Sequence, residues 1–90
     1  MKDVRSIVLD QNIPNPFAEQ TAIGYFLPDD VKKAQVLFHN ADGKLINSVE
    51  ISERGKGLLN VYADDLSSGV YSYTLIADGK VIDTKRMVKN

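Results

Sequence analysis

Very few side chains of this sequence could support catalysis, and they are not spaced as an active site requires. His39 is the only histidine, and it ends an alternating apolar segment directly before a turn. A general base needs both an orienting partner and a nucleophile within hydrogen-bond reach. Ser67 and Ser68 stand in a turn without the Gly-x-Ser-x-Gly elbow and without an adjacent histidine. The sequence therefore predicts a solvated His39 and no enzymatic activity.

Metal and cofactor binding have equally little support. Two pairs of adjacent aspartates, Asp29-Asp30 and Asp64-Asp65, lie in predicted turns, where aspartate commonly caps backbone N–H groups. A calcium loop would need carboxylates at alternate positions, as in Asp-x-Asp-x-Asp, and the chain has no such run. The absence of cysteine excludes disulfides, thiolate zinc sites and cysteine nucleophiles together. We expect neither a metal ion nor a cofactor, with calcium between the aspartate turns as the open alternative.

The size and charge of the chain narrow the classes of partner. Its 90 residues form one domain with a modest core, too small to surround a deep substrate cavity as well. The 12 acidic and 11 basic residues give a net charge of −1, so no long-range field favours nucleic acid. No apolar run is long enough to span a bilayer, and Met1-Lys2-Asp3 does not lead into a signal peptide. We predict neither nucleic-acid binding nor membrane insertion.

The clearest strand pattern lies in the last third of the chain. There Tyr71, Tyr73 and Leu75 alternate with small polar residues, which is typical of a strand with one buried face. The dipeptide Asp78-Gly79 that follows is the commonest two-residue hairpin signal. We therefore predict a central strand over residues 66–77 and an antiparallel partner over residues 80–88.

Strand-sized segments separated by turn signals also fill the rest of the chain, and apolar residues do not recur at helical spacing. Pro14 and Pro16 exclude a helix or a central strand between the first two segments, and Phe17 beside them is predicted to plug the core. A polar connector is expected at residues 53–57. The further predicted strands cover residues 4–11, 21–27, 33–39, 44–51 and 59–63. This pattern predicts an all-β fold, an immunoglobulin-like antiparallel β-sandwich of about seven strands.

Two local features refine this prediction. Tyr71 follows Leu66 by five residues at the start of a strand, which is typical of a tyrosine corner, where the phenol bonds back to the preceding connection. In the segment 44–51, Leu45 falls on the same ideal-strand face as Val49 and Ile51, and Ile46 does not. We therefore expect either a bulge or a strand that is buried on both sides.

The end of the chain is basic, and two interpretations of it stay open. Its cations are Lys80, Lys85, Arg86 and Lys89. Charged residues on an edge strand prevent sheets from pairing with one another, which is a purely protective role. An extended terminal edge strand also offers free backbone groups and alternating side chains, which is what strand-addition binding uses.

Several short motifs, taken together, resemble the type A C-terminal sorting domain of the type IX secretion system, found at the ends of exported Bacteroidetes proteins. Each motif alone is weakly diagnostic, but they follow the family's order and spacing from about residue 9 to residue 89. The motifs are Leu9-Asp10-Gln11-Asn12-Ile13-Pro14-Asn15-Pro16-Phe17, Thr21-x-Ile23-x-Tyr25-x-Leu27-Pro28, Asp42-Gly43-Lys44, Leu66-Ser67-Ser68-Gly69-Val70-Tyr71-Ser72-Tyr73 and Lys85-Arg86-Met87-Val88.

The resemblance implies a non-enzymatic address at the end of a larger cargo protein. In the family a separate N-terminal signal peptide brings the cargo to the periplasm, and the outer-membrane translocon recognises the sorting domain. A cell-surface sortase then commonly removes the domain, leaving the cargo on the cell surface or in the medium. Residues 1–8 would be a lead-in from the cargo and residues 9–90 the sorting domain.

The family's functional positions transfer to this chain motif by motif. Translocon recognition would fall on Lys85, Arg86, Met87, Val88 and Lys89. The motif and structural positions would be Pro14, Asn15, Pro16, Phe17, Gly43, Lys44, Gly69, Val70, Tyr71, Gly79 and Lys80. The family often ends on apolar residues after its lysine-containing motif, whereas this chain ends on Lys89-Asn90. The resemblance and the basic end of the chain together lead us to expect a rigid sandwich whose last strand offers its edge to the translocon through shape, charge and backbone pairing.

Two other functions are compatible with the same fold. An adhesive or carbohydrate-binding module would hold its ligand in loops at one end of the sandwich, but it would need exposed aromatic platforms, and the chain has no tryptophan. A structural spacer domain would share the fold and the Gly-Val-Tyr segment. Position distinguishes the spacer, because a spacer can lie in the middle of a chain and a sorting domain must end it.

Overall fold

The computed structural model describes residues 7–64 and 66–90, and these residues form seven strands and no helix. Most of the predicted lead-in and Asp65 of the second aspartate pair lie outside the described residues. The strands are β1 (Val8–Leu9), β2 (Gln20–Leu27), β3 (Ala34–His39), β4 (Leu45–Glu50), β5 (Gly55–Tyr62), β6 (Gly69–Ala77) and β7 (Lys80–Lys89). The prediction of an all-β chain is confirmed.

The strands form two antiparallel sheets, one of three strands in the order β1-β2-β5 and one of four strands in the order β4-β3-β6-β7. The central position predicted for β6 is correct, because β6 is hydrogen-bonded to β3 on one side and to β7 on the other. β7 lies at the edge of its sheet, next to β6 alone among the seven strands.

The core lies between the sheets and is built from the alternating residues of β2, β3 and β6. Ile23, Val36, Tyr73 and Leu75 are fully buried, and the Phe38 and Tyr73 rings pack at a centroid distance of 6.3 Å. Burying a side chain of this size contributes about 1.5–3 kcal/mol relative to leaving it in water. Phe17 is 1% exposed, so it fills the core from the proline loop as predicted.

The β6–β7 hairpin turns at Asp78 and Gly79, where φ is 52° and 82°. Positive φ at both central residues is the type I′ geometry, whose twist matches the flanking strands and which glycine adopts without a Cβ clash. The Asp78 carboxylate accepts hydrogen bonds from the Lys32 and Lys33 amides, both at 2.9 Å. The Lys33 N–H group is the main cause that lowers the pKa of Asp78, ahead of the smaller opposing effect of desolvation.

The tyrosine corner is present. The Tyr71 hydroxyl donates to the Ser67 carbonyl at 2.6 Å, and the Leu66 amide donates to the Ala63 carbonyl at 3.0 Å. The two bonds hold the connection into β6 against the start of that strand. Since Tyr71 is also buried, the phenol anchors the connection from the core side.

The predicted connector before β5 differs from the structure, whereas the predicted irregularity in β4 is present. The connector expected at residues 53–57 is wrong in its second half, because β5 begins at Gly55 and Gly57 pairs with Tyr25 of β2. The Tyr25 ring can lie over Gly57 because glycine has no Cβ, which would be 2.5 Å from ring atoms. In β4 the expected bulge is present, since Phe38 pairs with Asn47 and His39 with Leu45. The bulge puts Leu45 on the outer face with His39, not on the inner face with Val49.

Candidate recognition surface at the C-terminal strand

The end of β7 lies beside the Gly-Val-Tyr segment of β6. In the antiparallel register Gly69 pairs with Lys89, Val70 with Val88 and Tyr71 with Met87. The two motifs, separated by the whole hairpin in sequence, are therefore directly opposite each other in the sheet. Gly79 and Lys80 lie at the other end of the hairpin, at the turn.

Near the end of β7, the strand edge that points away from β6 is covered by residues 11–17, which we call the proline strap. The Phe17 amide donates to the Val88 carbonyl at 2.9 Å, and the Asn90 amide donates to the Phe17 carbonyl at 2.8 Å. These bonds form a short parallel bridge between Phe17 and Lys89. The Val88 amide donates to the Asn15 side-chain oxygen at 2.9 Å, and the Gln11 side chain donates to the Arg86 carbonyl. The first and last motifs of the chain are thus in contact.

This contact changes one expectation about the terminal strand. We expected a strand edge with free backbone groups, and this is wrong for the last residues, because Val88 has both its outward N–H and its outward C=O bonded to the strap. A strand with hydrogen-bonded neighbours on both sides has no open edge to offer. Side chains, rather than backbone groups, are the accessible features of this part of β7.

The five residues predicted for recognition lie in different environments. Met87 is fully buried in the core. The Lys85 ammonium lies 3.5 Å from the Asp83 carboxylate, and the Lys89 ammonium donates to the Asn90 carbonyl at 2.6 Å. Arg86 is exposed, and no described residue offers its guanidinium a hydrogen bond or an ion pair. Arg86 and the half-buried Val88 are therefore the members of this set that face solvent without a charged partner.

The strap is held from behind by buried polar groups. Asn12 is 1% exposed, and its amide donates to the Pro14 carbonyl at 3.1 Å and to the Thr21 hydroxyl oxygen at 3.0 Å. The Thr21 hydroxyl in turn donates to the Pro14 carbonyl at 2.8 Å. Buried polar groups that are fully hydrogen-bonded fix one local conformation. No role of their own was predicted for Gln11 and Asn12. A polar run between the apolar residues Leu9 and Ile13, directly before a proline, was the pattern that could have indicated one.

Tyr73 connects the strap to the centre of the larger sheet. Its hydroxyl donates to the Asp10 carbonyl at 2.7 Å, just before the strap begins. The pKa of Tyr73 is raised to about 12, mainly by burial and to a smaller extent by the Asp10 and Asp83 charges, against the opposing effect of the Asn12 backbone N–H. The phenol therefore stays neutral, and a donor, at physiological pH.

A shallow groove of about 660 Å³ lies on the outer face of the four-stranded sheet beside this region. It is bounded by the turn that contains Asn40 and Gly43, by Val70 and Ser72 of β6, and by Arg86 of β7. The turn is shaped by the Asn40 side chain, which accepts hydrogen bonds from the Asp42 and Lys44 amides at 3.0 and 2.9 Å. Three of the sequence motifs therefore border one open surface.

Neither a metal-binding cluster nor a histidine–carboxylate pair is found in the described part of the chain. His39 is half-buried and pairs with Ser72 across the sheet, without a carboxylate partner in any described hydrogen bond or ion pair. Residues 7–64 and 66–90 contain no group of three or more histidine or acidic side chains that could hold a metal ion. They also contain no helix long and apolar enough to cross a membrane.

Comparisons with known proteins agree with this description. The family model of the secretion system C-terminal sorting domain matches residues 12–90, which include the groove, the last strand and all of the strap except Gln11. The chain belongs to this family. The sorting domain is therefore part of a secreted or cell-surface protein that carries a type IX sorting signal. Membership in the family also implies an upstream cargo and interaction with the type IX secretion machinery.

The comparison of structures supports the fold alone. An immunoglobulin-like protein from Pseudomonas aeruginosa superposes with a TM-score of 0.56 over 94% of this chain and 90% of its own length, at 9% sequence identity. The immunoglobulin-like sandwich predicted from the sequence is thereby confirmed. No curated protein matches the sequence.

Proposed function

We propose that this sorting domain is the non-enzymatic address that the outer-membrane translocon of the type IX system recognises, and that a cell-surface sortase afterwards removes it. In this proposal the cargo precedes residues 1–8, and a signal peptide on the precursor delivers it to the periplasm. The observation that supports the proposal best is the meeting of the proline strap, the Gly-Val-Tyr segment and the last strand at one end of the sandwich.

The recognition residues are proposed at the same place. Arg86 and Val88 offer their side chains on the outer face of the sheet. Lys85 and Lys89, which alternate with them along β7, add positive charge. Met87 contributes differently, because its side chain is buried and can act only by keeping the strand in place. The remaining motif positions, from the strap to the hairpin, shape the sandwich that carries this surface.

The experiment is a reporter fusion in a host with an active type IX system. A periplasmic reporter followed by this chain should reach the cell surface or the medium, and it should lose the domain when the sortase is present. The control places the same chain ahead of the reporter, where a sorting signal should fail and a spacer should be tolerated. Retention of the C-terminal fusion in the periplasm would contradict the proposal.

A second measurement addresses the adhesive alternative. A glycan array with the purified chain should give no specific binding, because Tyr71 and Tyr73 are buried and the exposed Tyr62 ring lies on β5, in the other sheet from the motif residues of β6 and β7. Specific binding to one class of glycan would favour the adhesive module over the sorting domain's proposed role.

A further inference from the structure

The Val88 amide and carbonyl and the Asn90 amide already have hydrogen-bond partners in the strap. On one side β7 pairs with β6 from Gly69 to Ala77, and on the other side the strap bonds the Val88 amide, the Val88 carbonyl and the Asn90 amide. A partner that added a strand at this place would have to break these bonds first. The geometry therefore disfavours strand addition as the way in which this end of the domain is bound.

The outer face of the same strand is open and carries an unpaired cation. Arg86 pairs in register with Ser72, and it stands beside the groove that Asn40, Gly43 and Val70 also border. Lys44 is exposed at the adjoining turn, where the acidic side chain is Asp42. Lys85 and Arg86 at the groove and Lys44 at the adjoining turn outnumber the carboxylates of Asp42 and Asp83, of which Asp83 is paired with Lys85. The surplus positive charge complements an acidic surface rather than a basic one.

We propose that the export machinery docks an acidic protein surface on this outer face, contacting Arg86 and Val88, and that Gln11 and Asn15 are positioning residues that hold the strand in the bound conformation. The inference rests on the proposed sorting function and specifies its site. The strap is then a fixed neighbour of β7, and the partner binds side chains of an ordered strand.

The first test separates strand ordering from other effects of the strap. In Asn15→Ala the Val88 amide loses its acceptor, so its hydrogen exchange should become about tenfold faster and export of a fused reporter should fall severalfold. Asn15→Asp keeps a side-chain oxygen, so the Val88 amide should exchange near the wild-type rate. The matched control is Asn47→Ala, because Asn47 accepts the Ser48 amide at 2.9 Å on the edge strand β4. There the Ser48 amide should exchange faster while export stays unchanged.

The second test addresses the chemistry of the partner. Arg86→Glu should lower export severalfold, whereas Arg86→Lys should retain most of it, because an acidic surface requires the charge more than the guanidinium shape. Lys56→Glu makes the same charge reversal on β5, an exposed strand of the other sheet, and should leave export unchanged. Equal export of Arg86→Glu and the wild type would overturn the acidic partner.

The outcomes distinguish this inference from the function on which it rests. If the wild-type fusion is not exported, the sorting function itself fails. If the wild type is exported and Asn15→Ala is exported equally well or better, although its Val88 amide exchanges faster, the ordered strand is not what is bound and the inference fails alone. Should Asn15→Ala not fold, Gln11→Ala provides a second comparison, since it removes the side-chain bonds to the Arg86 carbonyl and to the Asn12 side-chain oxygen, and export should again fall.

Discussion

The hydroxyl groups of the two buried tyrosines of β6 each form a hydrogen bond with a segment outside that strand. Tyr71 and Tyr73 both point into the core, yet each phenol reaches a backbone carbonyl outside its own strand, at Ser67 and at Asp10 respectively. A buried phenol needs such an acceptor because leaving its O–H unsatisfied would cost free energy. The two residues therefore join loops to the core at defined points.

Removing the Tyr71 hydroxyl should weaken the tyrosine corner without creating a large cavity. We expect Tyr71→Phe to lower the free energy of unfolding by about 0.5–1.5 kcal/mol, the usual net value of one hydrogen bond. Urea denaturation measures this change. Tyr62→Phe is the control, since the Tyr62 side chain is 58% exposed, and its effect should stay within about 0.5 kcal/mol. Equal effects of the two substitutions would contradict the role of the corner.

Tyr73 should make stability depend on pH in the alkaline range. Its pKa is about 12 in the folded protein and 10.0 in the reference state, so folding favours the neutral phenol. The resulting stability is fully present below about pH 10 and is lost as the pH rises through 12, with a slope of about 1.4 kcal/mol per pH unit in between. Urea unfolding of the wild type across this pH range should show this slope in the free energy of unfolding. Tyr73→Phe should lack the contribution of Tyr73 to that slope. Identical slopes would refute the assignment.

At the scale of strands, the structure departs from the sequence prediction where one residue's environment overrides its local pattern. Gly55 and Gly57 indicated a connector, yet both lie in β5, where they pair with Leu27 and Tyr25 of β2, and the Tyr25 ring covers Gly57. Glycine in a strand commonly marks such a close approach. The partner ring lies about 30 residues away in sequence, so local patterns could not identify it.

The two strand glycines of this sheet should respond differently to a methyl group. A Cβ on Gly57 would meet the Tyr25 ring at 2.5 Å, whereas a Cβ on Gly24 would meet a carboxylate oxygen of Asp10 at 2.6 Å. The ring packs against the core and the carboxylate can swing into solvent, so Gly57→Ala should cost about 1–3 kcal/mol and Gly24→Ala less than about 1 kcal/mol. Thermal unfolding of both variants provides the comparison, and a larger cost for Gly24→Ala would contradict it.

At the scale of the whole molecule, the proline strap closes one side of the sandwich. It follows β1 of the smaller sheet and bonds to β7 of the larger one, so it links the two sheets through backbone and side-chain hydrogen bonds. Phe17 is its buried end, and Ile13 near its start is 74% exposed. The free energy of unfolding should therefore depend strongly on Phe17 and hardly on Ile13.

This difference gives a matched pair of substitutions in one loop. Phe17→Ala should lower the free energy of unfolding by about 3–5 kcal/mol through lost burial and a cavity between the sheets. Ile13→Ala should change it by less than about 0.5 kcal/mol, because its side chain already faces water. Calorimetry on the purified chain measures both. A small effect of Phe17→Ala would show that the strap does not close the core.

The sequence predicted the strands and their buried faces well, because alternation and turn chemistry are local. Asp78-Gly79 identified the hairpin, and the spacing of Leu66 and Tyr71 identified the corner. The pairing of the strap with β7 was beyond reach, since Asn15 and Val88 are more than 70 residues apart and their bond joins a side chain to a backbone amide. For the same reason the sequence could nominate the last residues but could not separate buried Met87 from exposed Arg86.

The hydrogen-bonded backbone at the end of β7 also bears on how the polypeptide is degraded. A protease must draw several consecutive residues, unpaired and extended, into its own cleft before it can hydrolyse a bond among them. In this fold the Asn90 amide is bonded to the Phe17 carbonyl and Val88 is bonded on its outer side twice. Cleavage between residues 86 and 90 is therefore coupled to opening of the native state, so the folded domain should resist proteolysis there more than the unfolded chain does.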